Sequence, residues 1–150
     1  MTKEIRIAPI TNGTVIDHLN PGSAYTIIGV LKLREYTMTA GMNLDSKKMG
    51  KKDILFIDGK ELSEKELNKV ALIGRGATLN IIKDAEIKKK FELKYPDKAE
   101  GIIKCINPKC ITNSESFPTK FSIKTNPLEA TCNYCETTMN EEEIVTSVKK

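Results

Sequence analysis

The chain has 150 residues, 39% of them hydrophobic and 5% aromatic, with no tryptophan, so any core is aliphatic and modest and two small domains would each be short of buried apolar surface. The net charge of +4 is unevenly spread: residues 1–96 carry 17 Lys/Arg against 12 Asp/Glu, and residues 97–150 carry 7 against 8, so anion binding belongs by preference to the first part. No stretch is apolar for long enough to span a membrane and the start lacks the apolar core of a secretory leader, which points to the cytosol, where thiols stay reduced.

In chain order, Ile5 and Ile7 alternate with charged neighbours and read as a strand. Asn20-Pro21-Gly22 opens a helix with Asn20 as cap, and Ala24, Ile27, Ile28 and Leu31 give it one buried stripe. Met38, Ala40, Met42 and Leu44 alternate with polar or small residues, the pattern of a half-buried strand. Ile54-Leu55-Phe56-Ile57 reads as a central strand buried on both faces. Ser63 and Glu66 form a capping box flanked by the staple pair Leu62 and Leu67; Val70 and Ala71 continue the buried face, and Gly74 or Gly76 ends the helix. Ala77–Lys83 and Glu86–Tyr95 are two strands around a turn at Asp84.

The order β-α-β-β-α-β plus a final strand predicts an α+β fold, a ferredoxin-like sandwich with two helices on one face of a sheet. The polar stretch 95–101, with Pro96 and Gly101 near its ends, marks a boundary between domains at 1–96 and 97–150.

All four cysteines lie in the second domain: Cys105 and Cys110 form one short-spaced pair, Cys132 and Cys135 another, twenty-one residues on. Two such pairs at this separation are a zinc signature, because each tight turn offers two thiolates and two turns complete a tetrahedron. Two disulfides are disfavoured in a reducing compartment. Four thiolates leave no open position for an activated water, so one structural Zn2+ per chain is expected, beside a small, mostly β core of Ile102, Ile103, Phe117, Phe121 and Ile123. The slightly acidic balance here, with Glu141, Glu142 and Glu143 near the end, argues against a phosphate-gripping finger and for protein docking.

Several segments carry a resemblance: Gly13-Thr14-Val15-Ile16-Asp17-His18, Gly41-Met42-Asn43-Leu44, Ser46 through Asp53, Ala77-Thr78-Leu79-Asn80, Asn107-Pro108-Lys109-Cys110-Ile111 and Cys132-Asn133-Tyr134-Cys135-Glu136. In this order and spacing they resemble the regulatory chains of aspartate carbamoyltransferase over nearly the whole sequence. The resemblance implies a chain that does no chemistry itself. Its first domain would bind the nucleotide effectors CTP, UTP or ATP, and its zinc domain would contact the catalytic chain. Regulatory dimers would bridge catalytic trimers and transmit control of pyrimidine biosynthesis, with no nucleic-acid or membrane partner.

The effector residues it implies are Ile7, Ala8, Pro9, Ile10, Val15, Asp17, His18, Ile54, Asn80, Ile82, Ile87 and Lys90. Main chain near Ile10 would read the base, Asp17 and His18 would face ribose and phosphates, and Lys90 would pair phosphate charge. Phe56 stands where some members have a lysine, and Ala85 where an aromatic can follow, so base preference does not transfer. Strand alternation points Lys88 and Lys90 one way and Lys89 the other, and Lys47, Lys48, Lys51 and Lys52 flank an exposed loop at Met49-Gly50. Competing readings are a nucleic-acid-binding zinc ribbon and a nucleotide-dependent enzyme; the second lacks any visible nucleophile–base pair, carboxylate dyad or open metal site.

Overall fold

A computed structural model describes residues 10–150. The strand expected around Ile5 and Ile7, and the implied effector residues Ile7, Ala8 and Pro9, lie outside the described residues. The elements run β1 Gly13–Leu19, α1 Ser23–Val30, a 3-10 turn Leu33–Glu35, β2 Met38–Ser46, β3 Gly50–Asp58, α2 Glu64–Ile73, β4 Thr78–Lys83 and β5 Glu86–Glu92. There follow β6 Lys98–Glu100, α3 Ile111–Ser114, β7 Lys120–Lys124, β8 Glu129–Cys132, β9 Thr138–Met139 and α4 Glu141–Ser147.

The first five strands form one antiparallel sheet in the order β2-β3-β1-β4-β5. Without β5 this is the ferredoxin-like order, and β5 adds an edge through a hairpin at Asp84-Ala85, where both residues have positive φ. Ile16, Leu55, Ile57 and Leu79, fully buried, share the face under the helices with Ala24 and Ile27 of α1 and Val70 of α2.

The Ser63–Glu66 capping box closes reciprocally, with Ser63 Oγ accepting from the Glu66 N–H and Glu66 Oε1 accepting from the Ser63 N–H. Leu62 and Leu67 pack partly buried against the core, and Gly74 ends the helix. The start of α1 differs from expectation. Asn20 supplies no side-chain cap; Gly22 occupies that position at φ 92°, where a side chain would be strained. The first turn is instead satisfied by Asp53, thirty-one residues away on β3, whose Oδ2 accepts the N–H groups of Gly22 at 2.8 Å and Ala24 at 3.2 Å.

Two strands are less buried than their sequences suggest. β2 is an edge strand, so Met42 and Leu44 remain exposed. β3 buries Leu55 and Ile57, while Ile54 and Phe56 on its other face are only half-buried, because helices cover one side of the sheet alone.

The second sheet, β6-β7-β8-β9, is also antiparallel. Ile102, Ile103 and Phe121 are buried as expected, and Met139 and Ile144 join them. Phe117 is not part of this core: it is 47% exposed and stacks on Tyr134 at the surface, with ring centroids 6.4 Å apart.

Candidate metal centre and effector face

Two knuckles build the metal centre. In the first, Cys110 donates its N–H to the Asn107 carbonyl and Lys109 donates to the Asn107 side chain, which closes the loop back from Cys105. Asn113 locks it, its Nδ2 donating to the carbonyls of Cys105 at 2.9 Å and Asn107 at 2.7 Å. In the second, the Glu136 N–H donates to the Cys132 carbonyl, and Glu136 takes φ 63° to complete the turn. Asn113 was missed from sequence; its one signal was an amide three residues after the second cysteine of a pair.

The four ligand sulfurs lie within 4.8 Å of one another, with Cys105–Cys135 at 3.6 Å and Cys110–Cys132 at 3.7 Å. A Zn–S bond of about 2.3 Å implies tetrahedral edges of about 3.8 Å, so the donor set fits a structural zinc in chemistry and size. Thr112 Oγ1 and Thr137 Oγ1 lie 3.1 and 3.2 Å from the sulfurs of Cys110 and Cys135, and can orient them. Burial pushes the Cys105 thiol up to about 12 and raises Cys132 as well. Burial also raises Cys135, but hydrogen bonding with Thr137 and Asn107 outweighs it and holds that thiol at about 6. Gathering four such groups as thiolates requires a cation among them.

The implied effector residues fall largely on the sheet face opposite the helices. Directly paired residues share a face, and one row crosses all five strands: Thr39–Phe56–Val15–Asn80–Lys90. Ile82 and Ile54 join it by the two-residue period along β4 and β3. Ile10, half-buried, lies against Gly13 at the start of β1.

Two bulges place the rest. Between Ile16 and Leu19 the β1 register shifts, and His18 adopts φ 58°. Asp17 pairs with Thr78, and His18 Nδ1 reaches the Thr78 hydroxyl at 3.0 Å, so two consecutive residues meet at one point of the open face. On β5, Ile81 pairs with Lys89 but Ile82 with Ile87, which makes Lys88 the extra residue. Lys90 and Ile87 therefore share the open face, whereas Lys88 is held by Glu86 at 3.0 Å. Simple alternation had put Lys88 beside Lys90; the bulge breaks that pattern.

Lys52 flanks the loop as expected, from within β3, and its Nζ sits 2.9 Å from Asp17 Oδ1, a pairing that alternation alone does not predict. Burial works against ionisation of Asp17, but the hydrogen bonds from Lys52 and from the His18 N–H prevail and lower its pKa. The open face thus presents a carboxylate already paired, an imidazole and two lysines beside an apolar floor.

A ferredoxin-like sandwich with a polar-rimmed open face, followed by a second sheet closed around four cysteines, defines an α+β chain of the metal-binding class. The model described as "Aspartate carbamoyltransferase regulatory chain, allosteric domain" matches residues 5–94, and the one described as "Aspartate carbamoyltransferase regulatory chain, metal binding domain" matches 97–145. The chain is 46% identical over 150 residues to the aspartate carbamoyltransferase regulatory chain of Pyrococcus abyssi, covering 97% of this chain and 99% of that one. Similar relatives occur in Methanococcus maripaludis, 46% identical over 142 residues (93% and 96% covered), and Sulfolobus acidocaldarius, 42% over 151 (97% and 92%). The chain belongs to the family of aspartate carbamoyltransferase regulatory chains. No helix among the described residues is long and apolar enough to cross a membrane.

Proposed function

We infer that residues 1–96 bind nucleotide effectors (CTP, UTP or ATP) on the open sheet face. Residues 97–150 then transmit their effect to a catalytic chain held by the zinc domain, in cytoplasmic assemblies bridged by regulatory dimers. The observation that carries this reading is the pair of bulges in β1 and β5. They turn His18 and Ile87, which alternation would misplace, toward the surface on which Asp17, Asn80 and Lys90 lie by regular pairing. Val15, Ile54, Phe56 and Ile82 supply an apolar floor for a base or ribose, and Lys90 supplies positive charge for phosphates. Effector control would act by binding two states of the assembly unequally, with a coupling of about 1–3 kcal/mol.

Calorimetric titration of the zinc-loaded chain with CTP, UTP and ATP tests the first half. At least one should bind, and Lys90→Met should weaken it by about tenfold, the loss of one charge-assisted contact. Binding of none, or binding indifferent to Lys90→Met and Asn80→Ala, would reject the site. Mixing the chain with catalytic subunits with and without a chelator tests the second half: metal removal should release the catalytic chain.

A further inference from the structure

The outer side of α1 carries a groove that neither the open face nor the metal centre uses. It has a volume of about 550 Å3 and is lined chiefly by Tyr25, Ile28, Gly29 and Val30 of the helix, Arg34 of the 3-10 turn and Lys150 of the C-terminal segment. That size falls within the roughly 300–1,000 Å3 usual for small-ligand clefts, and such clefts combine an apolar lining with a few polar groups. Tyr25 is 77% exposed, the most of any large hydrophobic side chain among the described residues.

Gly29 shapes the groove. It lies one helical turn after Tyr25, so the ring and the bare backbone share one outward face. Glycine is the poorest helix former after proline, and its two usual justifications are missing here. Its φ is not positive, and a Cβ at this position would meet nothing within 4 Å. The helix backbone is therefore open beside an exposed ring, which makes a flat apolar slot. Arg34 and Lys150 are the charged residues of the lining, and neither joins an ion pair among the described residues. No acidic side chain lines the slot. A specific protein interface engages about 20–30 residues a side. The other exposed apolar side chains lie away from α1, Met42 and Leu44 on β2 and Ile106, Ile111, Phe117 and Tyr134 in the cysteine-bearing part, so the groove is sized for a small ligand.

We propose that this groove binds a small aromatic carboxylate, with its ring against Tyr25 and the bare backbone at Gly29 and its charge on Arg34 and Lys150. A flat ring suits the slot, because it can lie close to a backbone that carries no side chain and stack on or against the tyrosine. A carboxylate suits Arg34, whose planar guanidinium can give it two parallel N–H bonds, and Lys150 adds a second cation. The site is separate from the open face: α1 covers the other side of the sheet. Arg34 belongs to the sandwich and Lys150 to the segment that follows α4, so the ligand touches both.

The test is a titration of the zinc-loaded full chain with 1-naphthoate, followed by two-dimensional amide NMR, beside its uncharged counterpart 1-naphthalenemethanol. Saturable shifts are expected at Tyr25 to Val30 and Arg34, with the amides of Asn80 and Lys90 unmoved. The alcohol should bind about tenfold more weakly, for want of the charge-assisted contact, and Arg34→Gln should weaken the naphthoate by a similar factor while leaving the alcohol unchanged. Gly29→Leu places a side chain where a Cβ has room, favours the helix and should abolish binding of both probes. Three outcomes would overturn the proposal. Naphthoate shifts might be absent from α1, or persist equally in Gly29→Leu and Arg34→Gln. The same amides might broaden with protein concentration alone, which assigns the groove to a second copy. Catalytic subunits added first might block the probe, which assigns it to that chain.

Discussion

At the scale of single residues, the fold rests on a few polar groups whose partners are distant in sequence. Asp53 is fully buried and accepts three main-chain N–H bonds, from Gly22, Ala24 and Asn43. It thereby ties β3 to the start of α1 and to Asn43 of β2, where the β2–β3 register shifts between Gly41 and Leu44. Asp53→Ala orphans three donors and should cost about 3 kcal/mol or more in chemical denaturation; a loss under 1 kcal/mol, on the order of one ordinary hydrogen bond, would show that water replaces the carboxylate. Asp17 gives a pH-dependent counterpart. Its pKa is lowered from 3.8 on folding, so its pair with Lys52 contributes stability above that value and loses it as pH falls through the lower folded pKa. Asp17→Asn should therefore be less stable than the parent at neutral pH, by no more than about 1 kcal/mol for a partly exposed pair. The gap should close as acid protonates the parent's carboxyl. A gap that persisted at low pH would mean that the carboxamide disturbs the sheet for another reason.

Among the secondary-structure elements, what could be read from sequence depended on how local the cause was. The capping box of α2 was legible because both partners, Ser63 and Glu66, lie within one turn. Ser63→Ala should cost about 1 kcal/mol in the same denaturation assay. The start of α1 was misread because its donors turn to Asp53, and no short window contains both. The bulges were illegible for a related reason: a bulge is a relation between two strands, and Asp17-His18 or Lys88-Lys89 looks like ordinary alternation in one of them. The cysteine framework was legible because a tetrahedral ion demands short spacings within each pair, whatever the rest of the domain does. The bulge on β5 offers a direct check. Deleting Lys88 should restore regular alternation with Ile87 still opposite Ile82 and Lys90 still opposite Asn80 on the open face, so nucleotide binding followed by calorimetry should survive with little loss of helicity. Loss of affinity would mean that Lys88 itself, or the bend its bulge puts into β5, takes part in the site.

For the molecule as a whole, the two sheets do not hold together by equal means. The five-stranded sheet is covered by α1 and α2 and buries large aliphatic side chains of its own, Ile16, Leu19, Leu55, Ile57 and Leu79. The four-stranded sheet has strands of two to five residues and only one large aromatic in its interior, Phe121. Three of its cysteines are buried among those few side chains, so a metal held by them would form part of the domain's core. A structural zinc of this type supplies about 10–16 kcal/mol of binding free energy, more than so small a core can replace. Chelation, or Cys132→Ser, should thus unfold residues beyond about 97 while the sandwich keeps a cooperative transition. That transition should fall in temperature rather than stay fixed, because α4 packs on α2 and one continuous cluster of buried side chains joins the two sheets. Two-dimensional NMR of the chelated chain distinguishes the outcomes. Signals of β1 to β5 should persist with shifts concentrated along α2, and those of β6 to β9 should collapse to random-coil positions. Retention of dispersed signals from β7 and β8 without metal would show that the cysteines merely decorate a self-sufficient core.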